Sequence, residues 1–139
     1  MFYKILTYTG SLIAIAFGVW HFFVPTIWKW YSYMDPIATE LVLAVRATNF
    51  FFSLLLVLIG ALNIVLISNP NTSRNAIIAL LIMNIIIWSV RVALQTIFPQ
   101  GTMNAYVQYG MTGSFWLVLI IFVSALILYF DISKQQNCL

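Results

Sequence analysis

The sequence predicts an all-α polytopic membrane protein, a four-transmembrane-helix bundle. Three observations carry that expectation. Of 139 residues, 63% are hydrophobic and 6% are charged, against about 25% charged in an ordinary soluble domain. A chain this short has a large surface for its volume, and six basic and three acidic side chains cannot cover it. The apolar residues also fall into four runs, each near the roughly 20 residues needed to cross hydrocarbon. A soluble globule and a disordered chain are both excluded. Barrel strands would read as alternating segments of about ten residues, whereas these runs are continuously apolar, so helices are expected.

The first run spans about 5–24 and is expected to close at Pro25. Lys4 precedes it, as in a signal peptide. The small-x-small pattern Ala14-Ile15-Ala16 falls in mid-run, however, and apolar residues continue beyond it, so an uncleaved first helix is expected. The second helix is placed at about 36–67, with Asp35 as N-cap and Pro36 as first helical residue. The third, about 74–98, is capped by Thr72 or Ser73 and closed by Pro99 and Gly101. The fourth is placed at about 104–131. The whole chain, 1–139, reads as one transmembrane domain.

Basic residues in short loops set the orientation. With four helices, Lys4, Arg74 and Lys134 share the side of the termini, and Lys29 lies opposite. The expected location is a prokaryotic cytoplasmic membrane with both termini cytoplasmic. Cys138, the single cysteine, would then face a reducing compartment. A lone cysteine excludes an intramolecular disulfide, a Cys-x-x-Cys pair and a thiolate-rich metal site, and no metal site is expected. A net charge of +3 is too thinly spread for nucleic acid. The stretch Trp28-Lys29-Trp30-Tyr31-Ser32-Tyr33 suits the headgroup layer, with a stacking platform for a planar ligand as the minor alternative.

Polar residues mark helix faces. Thr7, Ser11, Ala14, Gly18, His21 and Pro25 form one stripe on the first helix. Arg46, Asn49, Ser53, Gly60 and Asn63 form another on the second, and Asn84, Trp88, Arg91 and Gln95 a third. Small and polar residues in a membrane turn towards other helices. Helix 4 offers Gly110, Gly113 and Ser124 as packing marks and reads as a support helix. Arg46 lies about 7–8 Å into the second run, Arg91 about 10 Å from the end of the third, and His21 about 5 Å from the end of the first. His21, Glu40, Arg46, Asn49, Arg91 and Gln95 therefore reach one level in the outer half of the membrane.

These residues, with Trp20 and Trp88 supplying rings, are the candidate ligand-binding set. Two arginines against Glu40 leave one positive charge, which suits a small anion, a quinone head group or a lipid phosphate. Each residue also has a plainer role. His21 can be a hydrogen-bonded packing residue, and the arginines can snorkel or pair with Glu40. Asn63 and Asn84 are expected to bond between helices.

The segment Gly18-Val19-Trp20-His21-Phe22-Phe23-Val24-Pro25 has the pattern Gly-x-x-His-Phe-x-x-Pro, followed by aromatics. In this it resembles the DoxX-like family of small four-helix membrane proteins, with Gly18, His21, Phe22 and Pro25 as the matching residues. The resemblance implies a membrane subunit of the kind found in thiosulfate:quinone oxidoreductases or thiol-redox complexes. The lack of a cysteine pair departs from a thiol-exchange role.

Two functions follow as expectations. One is an accessory or redox-linked membrane subunit that holds a quinone head group or small anion, with His21 handling a proton and Arg46 and Arg91 the negative charge. The chain has no Rossmann glycine fingerprint, cluster cysteines or second histidine, so a partner, a bound cofactor or a homodimer would supply the electron carrier. The other is a non-catalytic structural or assembly subunit of a larger membrane complex. Either way a homo-oligomer or larger complex in the lipid bilayer is expected, and no catalytic residue is assigned. A transporter is a weaker third, because no broken helices or repeated halves are visible.

Overall fold

The computed structural model describes residues 2–101 and 104–137. It contains four helices, α1 (Phe2–Ile27), α2 (Thr39–Ser68), α3 (Arg74–Ile97) and α4 (Ala105–Asn137), with a 3₁₀ turn at Trp30–Tyr33. Among the described residues there is no strand. All four helices are long and apolar enough to cross a membrane. The shortest, α3, has 24 residues and is about 36 Å long, against a hydrocarbon core of about 30 Å. The all-α, four-transmembrane-helix class expected from the sequence is the class found. Cys138 lies outside the described residues.

The helix ends show which local signals the chain obeys. Ser73 caps α3, its Oγ accepting from the Ala76 N–H at 3.2 Å. Thr72 does a different job, donating to the Leu66 carbonyl at 2.6 Å near the end of α2. Asn104 stands before α4 and accepts from the Tyr106 N–H at 3.0 Å, as an N-cap does. Asp35 does not cap α2. Its Oδ1 accepts from the Ile37 N–H at 2.9 Å and its carbonyl from Ala38 at 3.0 Å. That is an Asx turn with proline in its second position, a strong local competitor of helix entry. The helix therefore opens at Thr39, three residues later than the Asp-Pro signal suggests.

The other departure is in α1, which does not stop at Pro25 but runs on to Ile27. Proline in a helix removes the bond to the carbonyl four residues back. Here that carbonyl belongs to His21, and the Asn49 side chain of α2 donates to it at 2.9 Å. With the orphaned acceptor satisfied, the helix completes another turn, and Trp28 N–H bonds to the Val24 carbonyl at 2.9 Å.

The chain divides into two compact units. One is Ser11–Leu62, an antiparallel pairing of α1 and α2. Its seam is made close by glycine. A Cβ placed on Gly18 would stand 2.9 Å from the Ser53 carbonyl oxygen, and one on Gly60 would stand 2.9 Å from that of Ser11. Small residues at such crossings let backbones approach, which is the usual basis of helix association in lipid. Ala14 and Ser53 are buried on the same seam. The hydroxyl of Ser11 is buried with no hydrogen-bond partner among the described residues.

The second unit holds the described residues up to Gly10 and from Asn63 onward. Here α3 packs on α4. The buried face of α4 carries Phe115, Val118, Phe122 and Ala125 at spacings of 3, 4 and 3. Phe115 meets Trp88 of α3, and Phe122 lies against Gly10 of α1. Gly110 and Gly113, expected as packing marks, instead face open space, with nothing within 4 Å of an added Cβ. Large side chains build this face of α4, and Gly10 of α1 leaves room for one of them. Asn63 and Asn84, both fully buried, exchange hydrogen bonds of 3.1 and 3.2 Å, and Asn84 also donates to the Leu80 carbonyl at 2.8 Å. Tyr8 and Ser68 share a bond of 2.9 Å, and Tyr3 meets Tyr129 edge-on with ring centroids 5.0 Å apart.

Candidate functional site

The eight candidate residues divide between the two units. In Ser11–Leu62 lie Trp20, His21, Glu40, Arg46 and Asn49. Trp20 is half exposed and turned from the seam, as expected for the apolar side of α1. His21 is partly buried and meets Phe52 edge-on, with ring centroids 5.0 Å apart. Its carbonyl is the acceptor of Asn49, so these two candidates are brought together, but through the backbone of one and the amide of the other. The carbonyl of Asn49 in turn accepts from the Ser53 hydroxyl at 2.7 Å. The Gly-x-x-His-Phe-x-x-Pro segment thus has a plain geometric content. Gly18 admits α2, Pro25 frees the carbonyl of His21, and Asn49 closes it.

Glu40 is exposed in the first turn of α2. Arg46, which the stripe of polar residues led one to expect inside, is exposed. Its neighbours on the same face, Leu43 and Phe50, are also exposed. The inward stripe of α2 therefore begins at Asn49 and continues through Ser53, Gly60 and Asn63. Arg46 lies on its edge, where a long stem can turn outward. Its guanidinium carbon sits 4.5 Å from the centroid of the Tyr31 ring. Tyr31 stands on the 3₁₀ turn, which begins after Lys29 in a left-handed conformation (φ 51°) and is tied by the Ser32 hydroxyl donating to the Lys29 carbonyl at 2.8 Å.

In the other unit lie Trp88, Arg91 and Gln95. Trp88 and Gln95 are buried and Arg91 is partly so, as the stripe on α3 predicts. Trp88 and Phe115 are ring neighbours at 5.9 Å, and the Arg91 guanidinium carbon lies 4.4 Å from the Phe115 centroid. Arg91 Nη2 donates to Gln100 Oε1 at 2.8 Å. Gln100 is itself held by Gln95, whose Nε2 donates to the Gln100 carbonyl at 3.1 Å and whose Oε1 accepts the Gln100 N–H at 3.4 Å. The turn after α3 is thereby folded back over the guanidinium. Both partners of Arg91 here are neutral, so they orient the charge without cancelling it.

Three residues outside the candidate set, Tyr31, Gln100 and Phe115, take part in this geometry. The sequence marks Tyr31 only as an interfacial ring and gives Gln100 no role. Phe115 was missed because helix 4 was judged by its glycines. The 3-4-3 spacing of Phe115, Val118, Phe122 and Ala125 was the available signal. Among the described residues no three His, Cys, Asp or Glu side chains gather as metal ligands would. Comparison with protein-family models, with curated proteins and with solved structures finds no match to this chain.

Proposed function

We propose that the protein is a small accessory subunit of a membrane assembly, structural rather than catalytic, seated in a prokaryotic cytoplasmic membrane with its termini in the cytoplasm. The observation that carries this reading is how its intramembrane amides are used. Asn49 serves the carbonyl that Pro25 releases, Asn63 and Asn84 serve each other, and Gln95 serves the backbone of Gln100. Polar groups spent in this way fix helix positions and leave fewer donors for a substrate. The orientation rests on the basic residues of the loops. The test is purification in mild detergent with cross-linking of neighbours. His21→Ala and Asn49→Leu are expected to disperse the assembly without releasing any small molecule.

A second reading is favoured by Arg91. In it, a DoxX-like, redox-linked subunit holds a quinone head group or small anion. A partly buried guanidinium over Phe115, hydrogen-bonded to the neutral Gln100, is a suitable donor for a carbonyl oxygen or an anion. A quinone that co-purifies with the wild type and is lost with Arg91→Gln would establish this reading over the first. A colourless, quinone-free assembly would leave the first standing.

A further inference from the structure

We propose that Arg46 and Tyr31 form a binding site for the phosphate group of a phospholipid. The argument begins with position. Arg46 is the eighth residue of α2, about 10 Å along the helix from Thr39. It lies on a helix that crosses the membrane, yet it is exposed, between exposed Leu43 and Phe50. A guanidinium among lipid-facing apolar side chains is costly until it reaches an anion or water. The side chain in contact with it, Tyr31, offers a neutral ring. That ring covers one face of the guanidinium, and the planar edges carry the N–H donors. Such a fork matches two oxygens of a phosphate.

The surroundings specify a lipid. The apolar side chains on either side of Arg46 suit acyl chains, and Trp28, Trp30 and Tyr33, near Tyr31 in sequence, are residue types of the headgroup layer. Charge gives a further constraint. Lys29 and Arg46 are balanced by Asp35 and Glu40 along the segment from the end of α1 into α2. Recognition is therefore local to the guanidinium and does not require a net negative headgroup. Phosphatidylethanolamine and phosphatidylglycerol are both taken. This site stands whichever reading of function holds, because it uses neither Arg91 nor the amides that join the helices.

The experiment uses the full chain in a phosphate-free sugar detergent and native mass spectrometry. Phosphatidylethanolamine, phosphatidylglycerol, diacylglycerol and inorganic phosphate are added separately. The expected result is one tightly retained phospholipid of either headgroup. Arg46→Gln weakens retention about tenfold or more, as loss of a charge-assisted bond should. Arg46→Lys falls between the two, keeping the charge and losing the fork. Tyr31→Leu weakens retention about two- to fivefold, the size of an exposed cation–π contact. Diacylglycerol, which lacks the phosphate, is held no better by wild type than by Arg46→Gln. Thermal melting of each variant checks the fold, and if Arg46→Gln fails to fold, Arg46→Lys and Tyr31→Leu carry the test. Equal retention by wild type and folded variants, or equal retention of diacylglycerol and phospholipid, overturns the proposal. Displacement of the lipid by inorganic phosphate at equal concentration overturns the lipid assignment. So does a cross-link from position 46 to a second protein in place of a bound lipid.

Discussion

Replacing Asn49 with leucine removes the donor that lies 2.9 Å from the His21 carbonyl, the acceptor that Pro25 leaves open. Leucine keeps the branching and the number of side-chain heavy atoms, so the main change is the loss of one hydrogen bond. A buried acceptor left without a partner costs about 1–3 kcal/mol. Interhelical polar bonds measured in membranes average about 0.6 and reach about 1.7 kcal/mol. The expected loss is about 1–2 kcal/mol. The proof lies in the background. With Pro25→Ala, residue 25 regains its N–H and can bond to His21 itself, so Asn49→Leu should then cost no more than about 0.5 kcal/mol. The assay is reversible unfolding in mixed micelles, followed by tryptophan fluorescence, for the four members of the cycle. A coupling of about 1 kcal/mol is expected. If Asn49→Leu costs the same with proline or alanine at position 25, the account of why α1 continues past its proline is wrong.

Other substitutions test the seams by the same unfolding assay. Gly18→Ala should destabilise by about 1–3 kcal/mol, since its Cβ would press on the Ser53 carbonyl oxygen at 2.9 Å. Gly113→Ala should do the reverse and stabilise by about 0.5–1 kcal/mol, because a Cβ there meets nothing within 4 Å and alanine is the better helix former. Ser11→Ala should leave stability unchanged or raise it by up to about 1 kcal/mol, the hydroxyl being buried without a bond among the described residues. Asn63→Leu alone should cost about 1–2 kcal/mol, and Asn63→Leu with Asn84→Leu less than the sum of the singles.

The four helices were legible because length and apolarity are properties of composition, and a membrane leaves the backbone few alternatives. Inward stripes on α1 and α3 were legible for the same kind of reason. Thr7, Ser11, Ala14 and Gly18, and Asn84, Trp88 and Gln95, recur at helical spacing and are buried. What could not be read was the use made of each polar group. Asn49 lies on its stripe as expected, but its acceptor is a carbonyl freed by a proline 24 positions away in sequence. Only the crossing of two helices reveals that relation. Arg46 kept helical spacing with Asn49 and still turned outward, because a long side chain at the edge of a stripe is not bound by the direction of its Cβ. The late start of α2 depended on a contest between two local patterns, and the Asx turn at Asp35 prevailed. On α4 the periodicity of large residues held the answer, while attention to small ones pointed to the wrong face.

The paired amides of Asn63 and Asn84 bear on how the chain is made. Four helices entering a bilayer in order bring Asn63 in before Asn84 exists to meet it. Until then its amide must borrow from water, from lipid headgroups or from the insertion machinery. Helix 2 is therefore incomplete as a membrane segment until helix 3 arrives, and the two are expected to leave for the lipid as a couple. Once there, each amide is both lock and key for the other. Sliding either helix by one turn, about 5.4 Å, would part the two amides and leave Asn84 only the Leu80 carbonyl of its own helix. Any later motion at this contact has tilting or pivoting open to it, and sliding closed.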